Sequence, residues 1–204
     1  PVFDGKQMRF QSADYMIRLT ESLVGRGYRE IYFRDDTFFV NRKRDTEYCR
    51  RLIDAKTDVT WIANARVSAI DEEMMKLAQQ AGCHTLKFGV ESGSQAVLDR
   101  IKKGYRLEEA YAVFDAANRL RLNTHAHVMI GNPGDTLETI AETIAYVIRL
   151  NPTTATFGIC TPYPGTPLFE ELAQVHPEIR DGSATDLRKL HVEGLYNEFY
   201  CNVP

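Results

Sequence analysis

Side chains that can bind a ligand or a metal lie within or directly after short apolar segments of the chain. They are Asp35, Asp36, Asn64, Arg66, Glu91, Ser92, His125, His127, Thr161 and Tyr163. A carboxylate beside an apolar strand needs a charged or hydrogen-bonding partner, and a ligand can supply one. Two imidazoles separated by one residue on a strand face the same way and can reach one metal ion. These residue types therefore predict a ligand-binding site.

Structural roles can also explain several of these residues, and the sequence leaves the alternatives open. Asp35 and Asp36 are suited to cap the helix that follows them. Paired histidines on a strand are often hydrogen-bonded core or rim residues rather than metal ligands. The Gly-Asn-Pro-Gly segment at 131–134 is in the first place a sharp turn.

Five predicted strands position these residues. The predicted strands are Glu30–Phe33, Thr60–Ala65, Thr85–Val90, His125–Ile130 and Thr154–Cys160. They alternate with amphipathic segments in units of roughly 30 residues, which is the size of a βαβ unit. Such alternation predicts a parallel sheet with helices outside it, as a barrel or a doubly wound sheet. No GxGxxG follows the first strand, which weakens the dinucleotide-binding form. In a parallel sheet the polar strand ends share one rim.

Helix boundaries are readable from capping residues. Ser12, Asn41 and Asp71 each precede an amphipathic segment and are predicted N-caps. Asp135 and Glu138 have the spacing of a capping box. The predicted buried faces contain Met16, Leu19 and Leu23 in the first helix and Leu137, Ile140, Ile144 and Ile148 in the helix after the fourth strand.

Composition narrows the classes of protein. The 204 residues are 44% apolar and 26% charged, with a formal net charge of −3, so neither a nucleic-acid nor a membrane-surface partner is indicated. The cysteines at 49, 83, 160 and 201 form no CxxC pair, which argues against zinc ribbons and thioredoxin-like sites. Scattered thiols predict a reduced, cytoplasmic protein. The longest uncharged stretch, 150–169, contains four prolines and is not a membrane span.

Seven segments, in this order along the chain, resemble the cobalamin-associated branch of the radical S-adenosylmethionine (SAM) superfamily. They read EIYFRDDTF at 30–38, WIANAR at 61–66, AGC at 81–83, FGVESGS at 88–94, KKG at 102–104, GNPGDT at 131–136 and PYPGT at 162–166. The resemblance implies an α/β fold, a partial parallel (β/α)6 barrel with five of the six strand–helix units present. It implies a barrel core over residues 1–175 and a C-terminal appendage over 176–204.

The resemblance also implies cofactors and a chemistry. Radical SAM enzymes bind SAM at the unique iron of a 4Fe–4S cluster, whose electron cleaves SAM to start radical chemistry on an organic substrate. Some members use cobalamin as well. The small-molecule substrate stays unspecified, and the reaction needs an electron donor.

The resemblance assigns parts of SAM to twelve residues. It places Asp35 and Asp36 near the amino group, Asn64 and Arg66 at the nucleoside, Glu91 and Ser92 at the ribose or methionine part, Lys103 at the carboxylate, His127 at the ribose, and Met129, Ile130, Thr161 and Tyr163 around adenine. It assigns no catalytic residue and no protein ligand to a metal.

One departure from the family is large. The cluster motif CxxxCxxC is absent, and no cysteines of this chain have its spacing. The start of the chain resembles the stretch after that motif, so we expect a fragment of a radical SAM enzyme, inactive by itself, that lacks the first barrel strand.

Two other functions stay open from the sequence alone. A metal-dependent hydrolase barrel would use His125, His127, Asp35 and Glu91. A non-catalytic binding module would use the open barrel edge, where the strand at 30–33 could pair with a partner or a second copy of the chain.

Overall fold

The computed structural model describes residues 9–180 of the chain, which form a parallel sheet with helices on one side. The strands are β1 (Glu30–Phe33), β2 (Thr60–Ala65), β3 (Cys83–Glu91), β4 (Asn123–Ile130) and β5 (Thr154–Ile159). The helices are α1 (Ala13–Gly25), α2 (Arg42–Asp54), α3 (Glu72–Gln80), α4 (Gln95–Arg100), α5 (Leu107–Arg119), α6 (Leu137–Leu150) and α7 (Pro167–Val175). Short 3-10 turns cover Val67–Ala69 and Pro177–Ile179.

The five strands pair in chain order, β1 to β5, and every pairing is parallel. All five predicted strands are confirmed, and β3 and β4 each begin two residues earlier than predicted. Within the described part of the chain, β1 and β5 are the edge strands. Self-association through the β1 edge stays a prediction.

The two faces of the sheet have opposite character. Along β2, β3 and β4, alternate residues are buried against the helices, and this layer forms the main core. Trp61 is fully buried there, and its indole nitrogen donates a hydrogen bond of 2.8 Å to the Ala81 carbonyl oxygen. The intervening residues are partly exposed on the concave face. Because strand side chains alternate between faces, polar residues two apart line that concave face together.

Three predicted caps are confirmed and one is wrong. The side chains of Ser12, Asn41 and Asp71 each accept a backbone hydrogen bond at the start of α1, α2 and α3. The capping box of α6 is formed by Thr136 and Thr139 instead of Asp135 and Glu138. Asp135 is buried, and its carboxylate accepts hydrogen bonds from the Asn132 amide and the Thr139 hydroxyl, so it fixes the preceding turn.

The predicted buried faces of α1 and α6 are partly wrong. Leu19 is 44% exposed, and α1 buries Met16 and Ile17. On α6 the predicted stripe is largely exposed, with Ile148 at 72%. Helix α6 instead buries the face of Thr143, Tyr146, Val147 and Leu150, which packs on the main core and bonds the loop after β3 through the Thr143 hydroxyl.

The C-terminal part packs separately from the main core. Helix α7 and the turn after it form a small apolar cluster that includes Phe169, Leu172 and Ile179. The predicted boundary at 176 falls inside this cluster, and residues 181–204 of the predicted appendage lie outside the described residues. Of the helices within residues 9–180, none has both the length and the apolar character that crossing a bilayer requires.

Candidate functional site

A cavity of about 520 Å³ opens on the concave face, at the carboxyl-terminal ends of the strands. Six of the twelve predicted site residues line it together, although they come from distant parts of the sequence. They are Asp36, Asn64, Arg66, Glu91, Lys103 and His127. The volume lies within the range of about 300–1,000 Å³ that is typical of small-molecule sites.

The other six predicted residues lie outside the lining of this cavity. They are Asp35, Ser92, Met129, Ile130, Thr161 and Tyr163. Ser92 is 1% exposed, and its hydroxyl bonds Thr143, so its side chain has a structural contact rather than an open position. Tyr163 is 40% exposed, beyond the end of β5. The adenine contacts implied for the last four residues stay a prediction.

Opposite charges meet at the end of β3. The Lys103 ammonium donates a hydrogen bond of 2.6 Å to Oε1 of Glu91, and both side chains are about one-fifth to one-quarter exposed. Gly89 lies under this pair. A Cβ atom at Gly89 would come within 2.5 Å of Glu91 Oε1 and 2.9 Å of Lys103 Nζ. The missing side chain of Gly89 therefore lets both charges lie over the strand, where they can separate to meet an ammonium and a carboxylate of a ligand.

The backbone of Glu91 is strained. Its φ of +63° lies in the left-handed region, and the register between β3 and β4 shifts between Gly89 and Glu91. This conformation costs a residue with a side chain about 1–2 kcal/mol. Strain of this kind is concentrated at functional sites.

The loop after Glu91 is fixed by α6. The Thr143 hydroxyl accepts a hydrogen bond of 2.9 Å from the Gly93 amide and lies 3.1 Å from the Ser92 hydroxyl. The Ser92 hydroxyl also accepts from the Ser94 amide at 3.1 Å. These contacts anchor the turn after Glu91 through residues outside the cavity lining.

The loop after β1 is held by β2. The Asn64 amide donates a 2.8 Å hydrogen bond to the Asp35 carbonyl oxygen, and the Tyr32 hydroxyl donates to Asn64 Oδ1 at 3.2 Å. Asn41, not Asp35 or Asp36, caps α2, so the capping explanation of the two aspartates is wrong. Both aspartates are exposed after β1, and Asp36 reaches the cavity lining.

The two histidines form a hydrogen-bonded row with threonines of β5. His125 Nδ1 lies 2.7 Å from the Thr154 hydroxyl, and the Thr156 hydroxyl lies 3.1 Å from both His125 Nε2 and His127 Nδ1. Burial, followed by the neighbouring His127 and Lys87, lowers the pKa of His125 to about 4. Burial and Lys87 also lower the pKa of His127. Both rings are therefore neutral at pH 7.

A pH prediction follows for His125. Its pKa is lower in the fold than the usual 6.5, so its contribution to stability is fully present above pH 6.5 and is lost as the pH falls towards about 4. Between pH 7.5 and pH 4.5, and allowing for solvent screening, the free energy of unfolding should therefore fall by about 1 kcal/mol less in His125→Gln than in the parent chain. Urea unfolding at the two pH values measures this difference. Equal losses in the parent and the variant would show that His125 does not carry the effect.

The geometry does not favour the hydrolase alternative. Both ring nitrogens of His125 are occupied by threonine hydroxyls. Over residues 9–180, no three His, Cys, Asp or Glu side chains gather in an arrangement that could hold a metal ion.

The thiols in the described region do not fit a cluster either. Cys49 lies on α2, Cys83 on β3 and Cys160 directly after β5, and all three are buried. Burial raises the pKa of Cys49 to about 12 and raises that of Cys83 as well. Cys49 and Cys83 are therefore protonated core residues, and the described residues supply no CxxxCxxC ligand set for a 4Fe–4S cluster.

Sequence reasoning missed nine residues that line the cavity, and the large polar side chains among them are Tyr32, Arg34, Lys87 and Tyr105. Lys87 lies four residues before Glu91 and Tyr32 two residues before Arg34, so the two-residue period of a strand places each pair on one face. This period could have predicted that Lys87 and Tyr32 line the cavity. No sequence pattern predicts the position of Tyr105, since its hydroxyl reaches the Val90 carbonyl oxygen, at 2.6 Å, from the loop before α5.

Comparison with known proteins gives a family and close relatives. The sequence matches the radical SAM superfamily over residues 3–147. An uncharacterized methyltransferase of Pyrococcus horikoshii is 35% identical over 167 residues, which are 81% of this chain and 36% of that protein. The anaerobic magnesium-protoporphyrin IX monomethyl ester cyclase of Rubrivivax gelatinosus is 30% identical over 169 residues, 78% of this chain and 30% of the cyclase. The chain thus spans about a third of the length of these relatives.

Solved structures show the same fold. The radical SAM methyltransferase TsrM from Kitasatospora setae, with cobalamin and a [4Fe-4S] cluster bound, aligns with a TM-score of 0.73 at 20% identity, over 81% of this chain and 34% of TsrM. The cobalamin-dependent radical SAM enzyme OxsB aligns with a TM-score of 0.71 at 17% identity, over 93% and 35% of the two chains. The parallel sheet is thus the partial barrel that the family resemblance implied. Because the family match spans residues 3–147, the chain belongs to the radical SAM superfamily.

Proposed function

We propose that this chain is the SAM-binding core of a radical SAM enzyme that methylates or cyclises an organic substrate. The observation that carries the proposal is the cavity in which six of the predicted site residues meet at the carboxyl ends of the strands. The named relatives are methyltransferases and cyclases, which supports chemistry of this kind.

The residues of the cavity fit SAM by their chemistry. The Glu91 carboxylate and the Lys103 ammonium can each exchange their mutual ion pair for the ammonium and the carboxylate of the methionine part. Asn64 and neutral His127 supply hydrogen-bonding groups suited to ribose hydroxyls. When bound, SAM supplies the methyl group or the adenosyl radical of the family. The residues of this chain bind and orient it.

We also propose that the chain alone does not cleave SAM, because its 204 residues contain no CxxxCxxC motif. The cluster ligands and any cobalamin site would then belong to other parts of the functional enzyme. Such an enzyme needs an electron donor, and we place it in the cytoplasm, where scattered cysteines stay reduced.

SAM titration tests the proposal without requiring turnover. We expect the 204-residue chain to bind SAM in a calorimetric titration and Lys103→Met to weaken binding about tenfold, because a charge-assisted hydrogen bond contributes about 1.5–3 kcal/mol.

Lys102→Met is the matched control. Lys102 is the exposed neighbour of Lys103 and lies outside the cavity lining. The Lys102→Met variant should therefore bind SAM as tightly as the parent chain. Failure of the parent chain to bind SAM would refute the proposed function. An equal loss in both lysine variants would refute the role of Lys103.

A further inference from the structure

We propose that Lys87 is a specificity-determining residue that binds an anionic group, a carboxylate or a phosphate, of the second substrate in this cavity. The inference rests on the proposed function, since it takes the same cavity to be the reaction site. It deepens that function by naming a substrate class.

Lys87 lies inside the barrel, deeper than the predicted SAM contacts on its own strand. It precedes Glu91 by four residues on β3, which corresponds to about 13 Å along a strand. In the sheet register it lies between Asn64 of β2 and His125 of β4, and Thr154 of β5 continues the row. The side chain is partly buried and lines the cavity.

The ammonium group of Lys87 has no anionic partner among the described residues. Its contact is with the Tyr32 ring, whose centroid lies 5.0 Å from Nζ. The Arg34 guanidinium lies 5.0 Å from the same ring. A cation–π contact at a partly exposed site contributes only about 0.5–1 kcal/mol and leaves the three N–H donors of the lysine available. Two cations on one ring favour an anion beside them.

The charge balance of the cavity points the same way. Among the described residues, its charged lining consists of four cations and two carboxylates, a formal net charge of +2. The cations are Arg34, Arg66, Lys87 and Lys103, and the carboxylates are Asp36 and Glu91. The histidines add no positive charge, because both rings are neutral at pH 7.

The cofactors of the family remove only part of this excess of positive charge. SAM bound at the cluster iron would have no net charge, because its amine would bind the iron unprotonated and its sulfonium and carboxylate cancel. An oxidised 4Fe–4S core held by three thiolates has one net negative charge. The two together would have one net negative charge, which balances only half of the +2 of the cavity, so one positive charge is left for the remaining occupant, the substrate. An anionic substrate would be attracted and oriented by that charge.

Anion titration tests the role of Lys87. The probes are inorganic phosphate and succinate, each titrated into the SAM-saturated 204-residue chain and followed by amide NMR shifts. We expect Lys87→Met to weaken binding of at least one probe about tenfold, and Lys87→Arg, which keeps the charge, to bind within about threefold of the parent. The probe with the larger dependence on Lys87 identifies the group as phosphate or carboxylate.

Lys76→Met is the control, because Lys76 is an exposed lysine of α3 outside the cavity lining. Unchanged binding of both probes in Lys87→Met would overturn the inference, and Lys87→Gln repeats the test if that variant unfolds.

The experiments distinguish failure of this inference from failure of the proposed function. SAM binding with anion binding independent of Lys87 refutes only the inference. Loss of SAM binding in the parent chain refutes the proposed function, and the anion titration is then read without SAM.

Discussion

Gly93→Ala should destabilise the fold by about 3 kcal/mol, a large effect for the addition of one methyl group. A Cβ atom at Gly93 would lie 2.5 Å from the Cβ of Tyr146, 2.6 Å from the Cα of Thr143 and 2.9 Å from the Glu142 carbonyl oxygen. Two of these atoms belong to the backbone of α6, so the whole helix has to move. Overpacking of a well-packed interior commonly costs about 1–3 kcal/mol and sometimes more.

Urea unfolding measures this loss, and Gly25→Ala provides a matched control. A Cβ atom at Gly25, at the end of α1, would meet no atom within 4 Å. Alanine also favours helix over glycine, so we expect this variant to be unchanged or up to about 1 kcal/mol more stable. A Gly93→Ala variant as stable as Gly25→Ala would mean that β3 and α6 are not packed as closely as described.

The same substitution should also weaken SAM binding. Gly93 donates its amide to the Thr143 hydroxyl, and Ser92 bonds the same group. Displacement of α6 releases both contacts and with them the turn that holds Glu91 over the cavity. The calorimetric titration with SAM measures this consequence independently of stability.

The sequence predicts the framework well, because the signals for strands and caps are local. Each predicted strand is a short apolar segment, and Ser12, Asn41 and Asp71 act on amides three residues away. The predicted buried face of α6 was wrong because the observed face makes contacts with residues far away in sequence, such as that of Thr143 with Gly93, 50 positions apart. No local pattern encodes that contact.

The sequence predicts the site residues at the ends of strands and helices but not the one inside β3. Glu91 and Lys103 were found because they belong to recognisable segments at strand and helix ends. Lys87 was missed because a lysine inside a strand looks like an ordinary exposed residue until the register places it between Asn64 and His125. Ser92 was assigned to the ligand, yet its hydroxyl is bonded to Thr143, a helix residue remote in sequence.

Two variants of Glu91 should show that its side chain is needed to bind SAM although its backbone conformation is strained. We expect Glu91→Gly and Glu91→Ala both to weaken SAM binding about 30-fold, because each removes a carboxylate whose charged hydrogen bonds contribute about 1.5–3 kcal/mol. Their stabilities should differ. At a φ of +63° glycine is unstrained and alanine is not, so Glu91→Gly should be about 1 kcal/mol more stable than Glu91→Ala.

Lys56 is a control position at which backbone strain can be measured without an effect on SAM binding. It has a φ of +47°, lies exposed in the turn after α2 and does not line the cavity. Lys56→Gly and Lys56→Ala should therefore show a similar stability difference in urea unfolding and leave SAM binding unchanged in calorimetry. If Glu91→Gly bound SAM as the parent does, the carboxylate would have no part in binding. If Glu91→Gly and Glu91→Ala were equally stable, the left-handed backbone conformation at Glu91 would not be strained.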